Sequence, residues 1–236
     1  MDNLYRLLQN VKQDPVMYLD KPSITSLHSF LIGYLSARRD LGLDREGSGI
    51  EGFQEWVQER AKTNVCQSWA GIILFGSGSE KSAFYRFFKE FDFFNQDNNL
   101  KNHEDERKEK SRTTEDDLNL CHFDIYNELL GSIKKRPGMY LGTSSITRLD
   151  MLLRGYNLAR REAGIAPTEQ EKEFEGFQSW IQEKYDIELG QSWAKIILFC
   201  SVDEYEALEK FFELYEEYLN RDKSSEVNEG SKHIKV

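Results

Sequence analysis

The chain has 236 residues, 39% of them apolar and 13% aromatic, which excludes an intrinsically disordered protein and leaves room for one large domain or two modest ones. Its formal net charge is -10 and its pI about 5.1, so the body repels phosphate backbones: nucleic acid is not the expected partner, and a basic protein surface is the complementary one. No stretch has the ~18 apolar residues of a membrane span, and Met1 to Gln13 show no apolar core with a cleavage site, so a cytoplasmic protein without a membrane partner is expected.

In chain order, Leu4, Leu7, Leu8 and Val11 step by three and four, the spacing of a short amphipathic helix that Pro15 ends. The following Met17-Tyr18-Leu19-Asp20 reads as an extended loop. Ser23 then caps a long helix with the stripe Leu27, Phe30, Leu31, Tyr34 and Ala37, which Gly42 stops. Gly33 sits inside that stripe at a cost of ~1 kcal/mol against alanine, which predicts that another element crosses closely there. Phe53, Trp56 and Val57 share a face of a third helix. Trp69, Ile72 and Ile73 have helical spacing behind Ser68 in an N-cap position, although the run AGIILF also fits a buried strand. Ser77 and Glu80 have capping-box spacing and open a last helix with the stripe Phe84, Phe88 and Phe91, widened by Phe87.

Gln96 to about Leu118 has almost no apolar content and reads as a charged flexible linker, with a helical patch expected at Glu104 to Lys110. Beyond it the same elements return. Pro15 and Pro137 start matching runs at an offset of 122 residues, and after a small indel EGFQEW from Glu51 matches EGFQSW from Glu175. QSWAGIILF from Gln67 matches QSWAKIILF from Gln191, and the last helix repeats as Leu208, Phe212, Tyr215 and Leu219, widened by Phe211, behind Ser201 and Glu204. Tyr126, Leu129, Leu130 and Ile133 repeat the first helix; Ser145, Gly155 and Gly164 repeat the cap, the mid-helix glycine and the stop.

These patterns predict an all-α fold, a tandem duplication of a small helical-bundle domain with five helices per copy. The alternative is an α+β fold in which the two SWAxIILF segments form one short strand pair. The expected domains are 1–95 and 121–221, joined by the linker 96–120 and followed by a disordered tail at 222–236.

Chemistry is sparse. His28, His103, His122 and His233 and the unpaired Cys66, Cys121 and Cys200 give no metal-ligand spacing and no disulfide framework. Gly76-Ser77-Gly78-Ser79 lacks the frame of a phosphate loop, and the second copy carries Cys200-Ser201-Val202-Asp203 there, so a turn and a helix cap explain both. No catalytic, cofactor-binding or metal-binding residue is assigned, and no enzyme is expected. Arg136-Pro137-Gly138-Met139-Tyr140-Leu141-Gly142 resembles a segment near the start of type II topoisomerase ATPase domains, but that family's nucleotide-binding helix and glycine-rich lids have no counterpart here, and the match is coincidental.

The copies differ most in surface charge. Ser77 to Phe94 carries three acids and three bases, whereas Ser201 to Asp222 carries eight acids and two bases. The divergence predicts a docking face on the second copy at Glu206, Glu209, Glu213, Glu216 and Glu217, with Tyr140 and Trp180 as aromatic anchors.

The succession RPGMYLG, SITRLDMLLRGYNLAR, FEGFQSWI, QSWAKIILF and a final acidic aromatic helix resembles a small bacterial all-helical family similar to the immunity proteins encoded beside polymorphic toxins. The resemblance covers both copies apart from linker and tail. It implies a non-enzymatic protein that binds and blocks a toxin, and with the charge it implies a basic toxin domain as partner. The competing expectation is a regulatory or structural module that takes a protein or small ligand in a cleft between the copies.

Overall fold

The computed structural model describes residues 3–43, 49–105 and 128–221, without the side chains of 99–105. All regular elements among these are helices: α1 (Asn3–Gln13), α2 (Pro15–Leu19), α3 (Ile24–Asp40), α4 (Phe53–Arg60), α5 (Trp69–Phe75), α6 (Glu80–Asp105), α7 (Leu130–Lys135), α8 (Pro137–Leu141), α9 (Ile146–Glu162), α10 (Glu169–Tyr185), α11 (Trp193–Phe199) and α12 (Glu204–Leu219). The two SWAxIILF segments are therefore α5 and α11, capped as the sequence suggests: Ser68 and Ser192 accept from the backbone of Gly71 and Lys195. This removes the α+β alternative.

Three expectations need correction. The MYLD and MYLG segments are not extended; they lie in α2 and α8, giving six helices per copy. Proline at the first helical position explains this, because its φ suits a helix and its missing N–H would have no partner there. Each short helix ends on a left-handed residue, Asp20 (φ 62°) or Gly142 (φ 74°). Second, Ser77 and Ser201 do not cap the last helix. Their hydroxyls donate back to the carbonyls of Ile73 and Ile197 at 2.7 and 2.8 Å, while Ser79 and Asp203 cap α6 and α12. Third, Leu219 is exposed, and its neighbour Tyr218 is the buried residue.

The helix α6 runs to Asp105, so residues 96–105 of the expected linker are helical; 106–127 and the tail lie outside the described residues.

The chain divides into two compact units. Among the described residues, unit 1 takes 3–43, 49–105 and 151–163, and unit 2 takes 128–150 and 164–221. The repeat boundary and the unit boundary thus part within α9, whose residues from Met151 onward belong with the first copy.

Each unit is built on one phenylalanine. In unit 1, Phe53 is fully buried, and its ring meets those of Trp56, Trp69, Phe87, Phe91 and Phe94 at 5.3–6.0 Å. In unit 2, Phe177 meets Trp180, Trp193, Phe211, Tyr215 and Tyr218 at 5.4–6.0 Å. Edge-to-face and offset pairs of this kind add ~0.5–1.5 kcal/mol each to area burial, which accounts for the recurrence of GFQ, QSW and FF in both halves. The glutamine between the aromatics clamps the next loop: Gln54 donates to Gln67 O at 3.0 Å and accepts from Trp69 N at 2.6 Å. Gln178 treats Gln191 and Trp193 the same way, at 2.9 and 2.6 Å.

The expected close crossing at the mid-helix glycines is present in unit 1. A Cβ on Gly33 would stand 1.9 Å from the carbonyl oxygen of Leu152, and one on Gly155 would stand 2.0 Å from that of Phe30. Only glycine lets α3 and the 151–163 segment approach this closely. Around the crossing, Tyr34 donates to Glu162 at 2.8 Å and Tyr156 donates to Asp40 at 3.0 Å. Arg154 adds two bonds to Asp20, at 3.0 and 3.3 Å.

Candidate functional site

The expected docking face lies on α12 in unit 2. The helix starts at Asp203, whose carboxylate accepts from Glu206 N at 2.9 Å, and its apolar side is fixed on the Phe177 hub by Phe211, Tyr215 and Tyr218. That burial turns the remaining residues outward. Glu206, Glu209, Glu213, Glu216 and Glu217 are all exposed, and at ~100° per residue they fall within an arc of about 100°.

The C-terminal end of this stripe is braced by two lysines. Lys134 pairs with Glu216, and its ammonium also stands 5.8 Å over the Phe212 ring. Lys184 pairs with Glu217 at 2.5 Å and stands 4.9 Å over Trp180. Among the described residues the N-terminal part has local partners alone: Glu206 accepts from Val202 N at 2.5 Å, and Glu209 accepts from Tyr205 Oη at 2.6 Å. Glu209 thereby pushes the Tyr205 hydroxyl up from its ordinary range, and the phenol stays a donor. Glu213 has no ion pair among the described residues.

A groove of about 480 Å³ runs beside this half of the helix, lined by Lys134, Pro137, Tyr205, Leu208, Phe212 and the acids Glu209 and Glu213. Of the two expected anchors, Trp180 is half-buried, packs edge-on against Tyr218 at 5.6 Å, and reaches the stripe only through Lys184. Tyr140 is half-buried on α8 and does not line the groove; Pro137, on the same short helix, does. The aromatic that stands among the acids is Tyr205, 54% exposed, with Phe212 behind it. Its signal was the spacing of Tyr205 four residues ahead of Glu209, which puts the two on one face.

Carboxylates one turn apart, with an exposed aromatic beside them, suit Lys and Arg side chains: the acids accept charge-assisted bonds and the ring offers a face to the cation or its stem. Among the described residues no group of His, Cys, Asp and Glu is placed to hold a metal ion, and no helix is long and apolar enough to cross a membrane. A larger cavity, about 870 Å³, belongs to unit 1 and shares none of these residues. Set against protein-family models, curated proteins and solved structures, the chain matches none of them.

Proposed function

We propose that the chain is a non-enzymatic inhibitory binding protein that seats the acidic face of α12 on a basic protein partner, as an immunity protein does in blocking its cognate bacterial toxin. The observation that carries this reading is the exposed stripe Glu206, Glu209 and Glu213 beside the groove holding Tyr205 and Phe212. Such a stripe steers a cationic partner and can stand in for phosphates at a nuclease site, so inhibition follows from occupying the partner's active site. Neither a cofactor nor a metal enters this mechanism.

The test screens the products of neighbouring genes for binding and follows any partner found by titration calorimetry at low and moderate salt, with a Glu206→Lys, Glu209→Lys, Glu213→Lys triple variant. Wild type should bind more tightly at low salt and protect cells producing the toxin. The triple variant should bind at least ~10-fold more weakly and lose most of the salt dependence. Unchanged affinity and salt slope in the variant would rule out this face.

A further inference from the structure

The cavity in unit 1 opens between α4, α5 and α6, with a volume of about 870 Å³. Its lining is largely apolar: Trp56 and Ile72 are half-buried, Val57 and Ile73 are buried, and Phe75, 94% exposed, stands at the mouth. Concave sites of ~300–1,000 Å³ with apolar walls and a few placed polar groups are the usual form of small-molecule pockets.

The charge of the lining opposes that of the molecule. Arg60, Lys62 and Arg86 line the cavity against one acid, Glu90, in a chain whose net charge is -10. The Glu90 side chain is only 14% exposed and is held between both guanidiniums. Arg86 donates through Nε to Oε1 at 3.2 Å and through Nη1 to Gly76 O at 2.6 Å. Arg60 Nε stands 2.9 Å from Oε2, but off the hydrogen-bonding line, so Oε2 is a buried acceptor without a hydrogen-bond donor among the described residues. Its charge is met by Arg60, but its hydrogen-bonding capacity is left for a donor brought by a ligand.

The second copy shows that the scaffold does not need this space. In the internal alignment Tyr185 stands for Ala61, Lys195 for Gly71 and Leu214 for Glu90. The positions that open and charge the cavity in one copy carry bulk, or lose the carboxylate, in the other. A void kept only by packing would not require the buried acid between two arginines.

We propose that this cavity is a binding site for a small organic acid. The ligand has a ring-bearing apolar body for the Trp56 and Ile72 walls, an anionic group for Arg60, Lys62 and Arg86, and an N–H or O–H donor for Glu90 Oε2.

Titration calorimetry on the full chain tests it with three probes. Indole-3-acetate carries all three features; indole-3-acetamide lacks the charge; 1-methylindole-3-acetate lacks the ring donor. Indole-3-acetate should bind with one equivalent per chain, and each of the other two about tenfold more weakly or worse. Ala61→Tyr, which installs the second copy's residue, and Gly71→Leu, which adds bulk without charge beside the flexible Gln67 side chain, should abolish binding with the fold retained. Arg86→Lys should weaken it with the fold retained, since Lys210 holds the matching Cys200 carbonyl at 2.9 Å. No binding of indole-3-acetate up to ~10 mM, a range reaching well past millimolar dissociation constants, overturns the proposal. Equal affinity for the acetamide, or undiminished binding in the filled variants, overturns it as well. The probe series on wild type decides the matter even if a filled variant misfolds.

Discussion

Glu80 and Glu204 do for α3 and α9 what a local capping box does within one helix, but from a distance in sequence. Glu80 accepts from Ser23 Oγ at 2.8 Å, Thr25 N at 3.1 Å and Thr25 Oγ1 at 3.2 Å. Glu204 accepts from Ser145 Oγ at 2.8 Å, Thr147 N at 3.0 Å and Thr147 Oγ1 at 2.6 Å. Each carboxylate meets the positive end of a helix dipole and satisfies a buried serine hydroxyl. Glu80→Ala or Glu204→Ala should therefore cost about 1–3 kcal/mol in urea unfolding, with Gln recovering part of the loss. The serine caps were legible in the sequence; these partners were not, because Ser77-x-x-Glu80 already looked complete as a local motif. A second residue prediction concerns Asp40. Burial raises its carboxyl above the ordinary range, against lowering pulls from the Tyr156 hydroxyl, Arg39 and Arg160. The folded chain keeps that proton to higher pH than the unfolded chain, so the Asp40 contribution to stability falls as pH rises through the window above ~4. Asp40→Asn removes the contribution, and its urea midpoint should decline less than wild type across that window.

At the scale of elements, the clearest constraint is the approach of α3 to the 151–163 segment. Gly33→Ala puts a methyl group against a peptide carbonyl rather than a flexible side chain. The ~1 kcal/mol that alanine gains in helix propensity is outweighed, and a net loss of about 3 kcal/mol or more should appear by chemical denaturation. Gly131 in α7 is the control: nothing lies within 4 Å of an added Cβ, so Gly131→Ala should be neutral or gain up to ~1 kcal/mol. Most helices could be read from the chain because the apolar step is 3.6 and appears twice. The buried set Leu4, Leu7, Leu8 and Val11 matches its predicted stripe residue for residue. The helices α2 and α8 are hidden in the sequence because the proline that ends one helix also starts the next. The acidic stripe was legible in composition. Its groove was not, since Lys134 and Pro137 come from helices far in sequence from the one that carries Phe212.

For the whole molecule, periodicity predicted two self-contained halves, but unit 1 is completed by residues from the second copy. Periodicity reports which face of a helix is apolar, not which helix covers it. Phe30 and Tyr34, at 1% and 0% exposure, lie on the α3 face that the 151–163 segment covers. A fragment of residues 1–105 lacks that cover. It should not behave as a well-packed monomer, and sedimentation velocity should show it associating, with Gly33→Ala reducing the association.

The crossing contacts are reciprocal under the repeat. Gly33 meets Leu152 and Gly155 meets Phe30; Tyr34 reaches Glu162 and Tyr156 reaches Asp40. An offset of 122 residues turns each contact into the other, so the contacting surface is self-complementary under the repeat. A single repeat carrying this helix already holds both sides of the contact. A homodimer of one-repeat chains, later fused into one polypeptide, would leave this pairing behind, and fusion would free each half to diverge: one toward an acidic face, the other toward a basic-rimmed cavity.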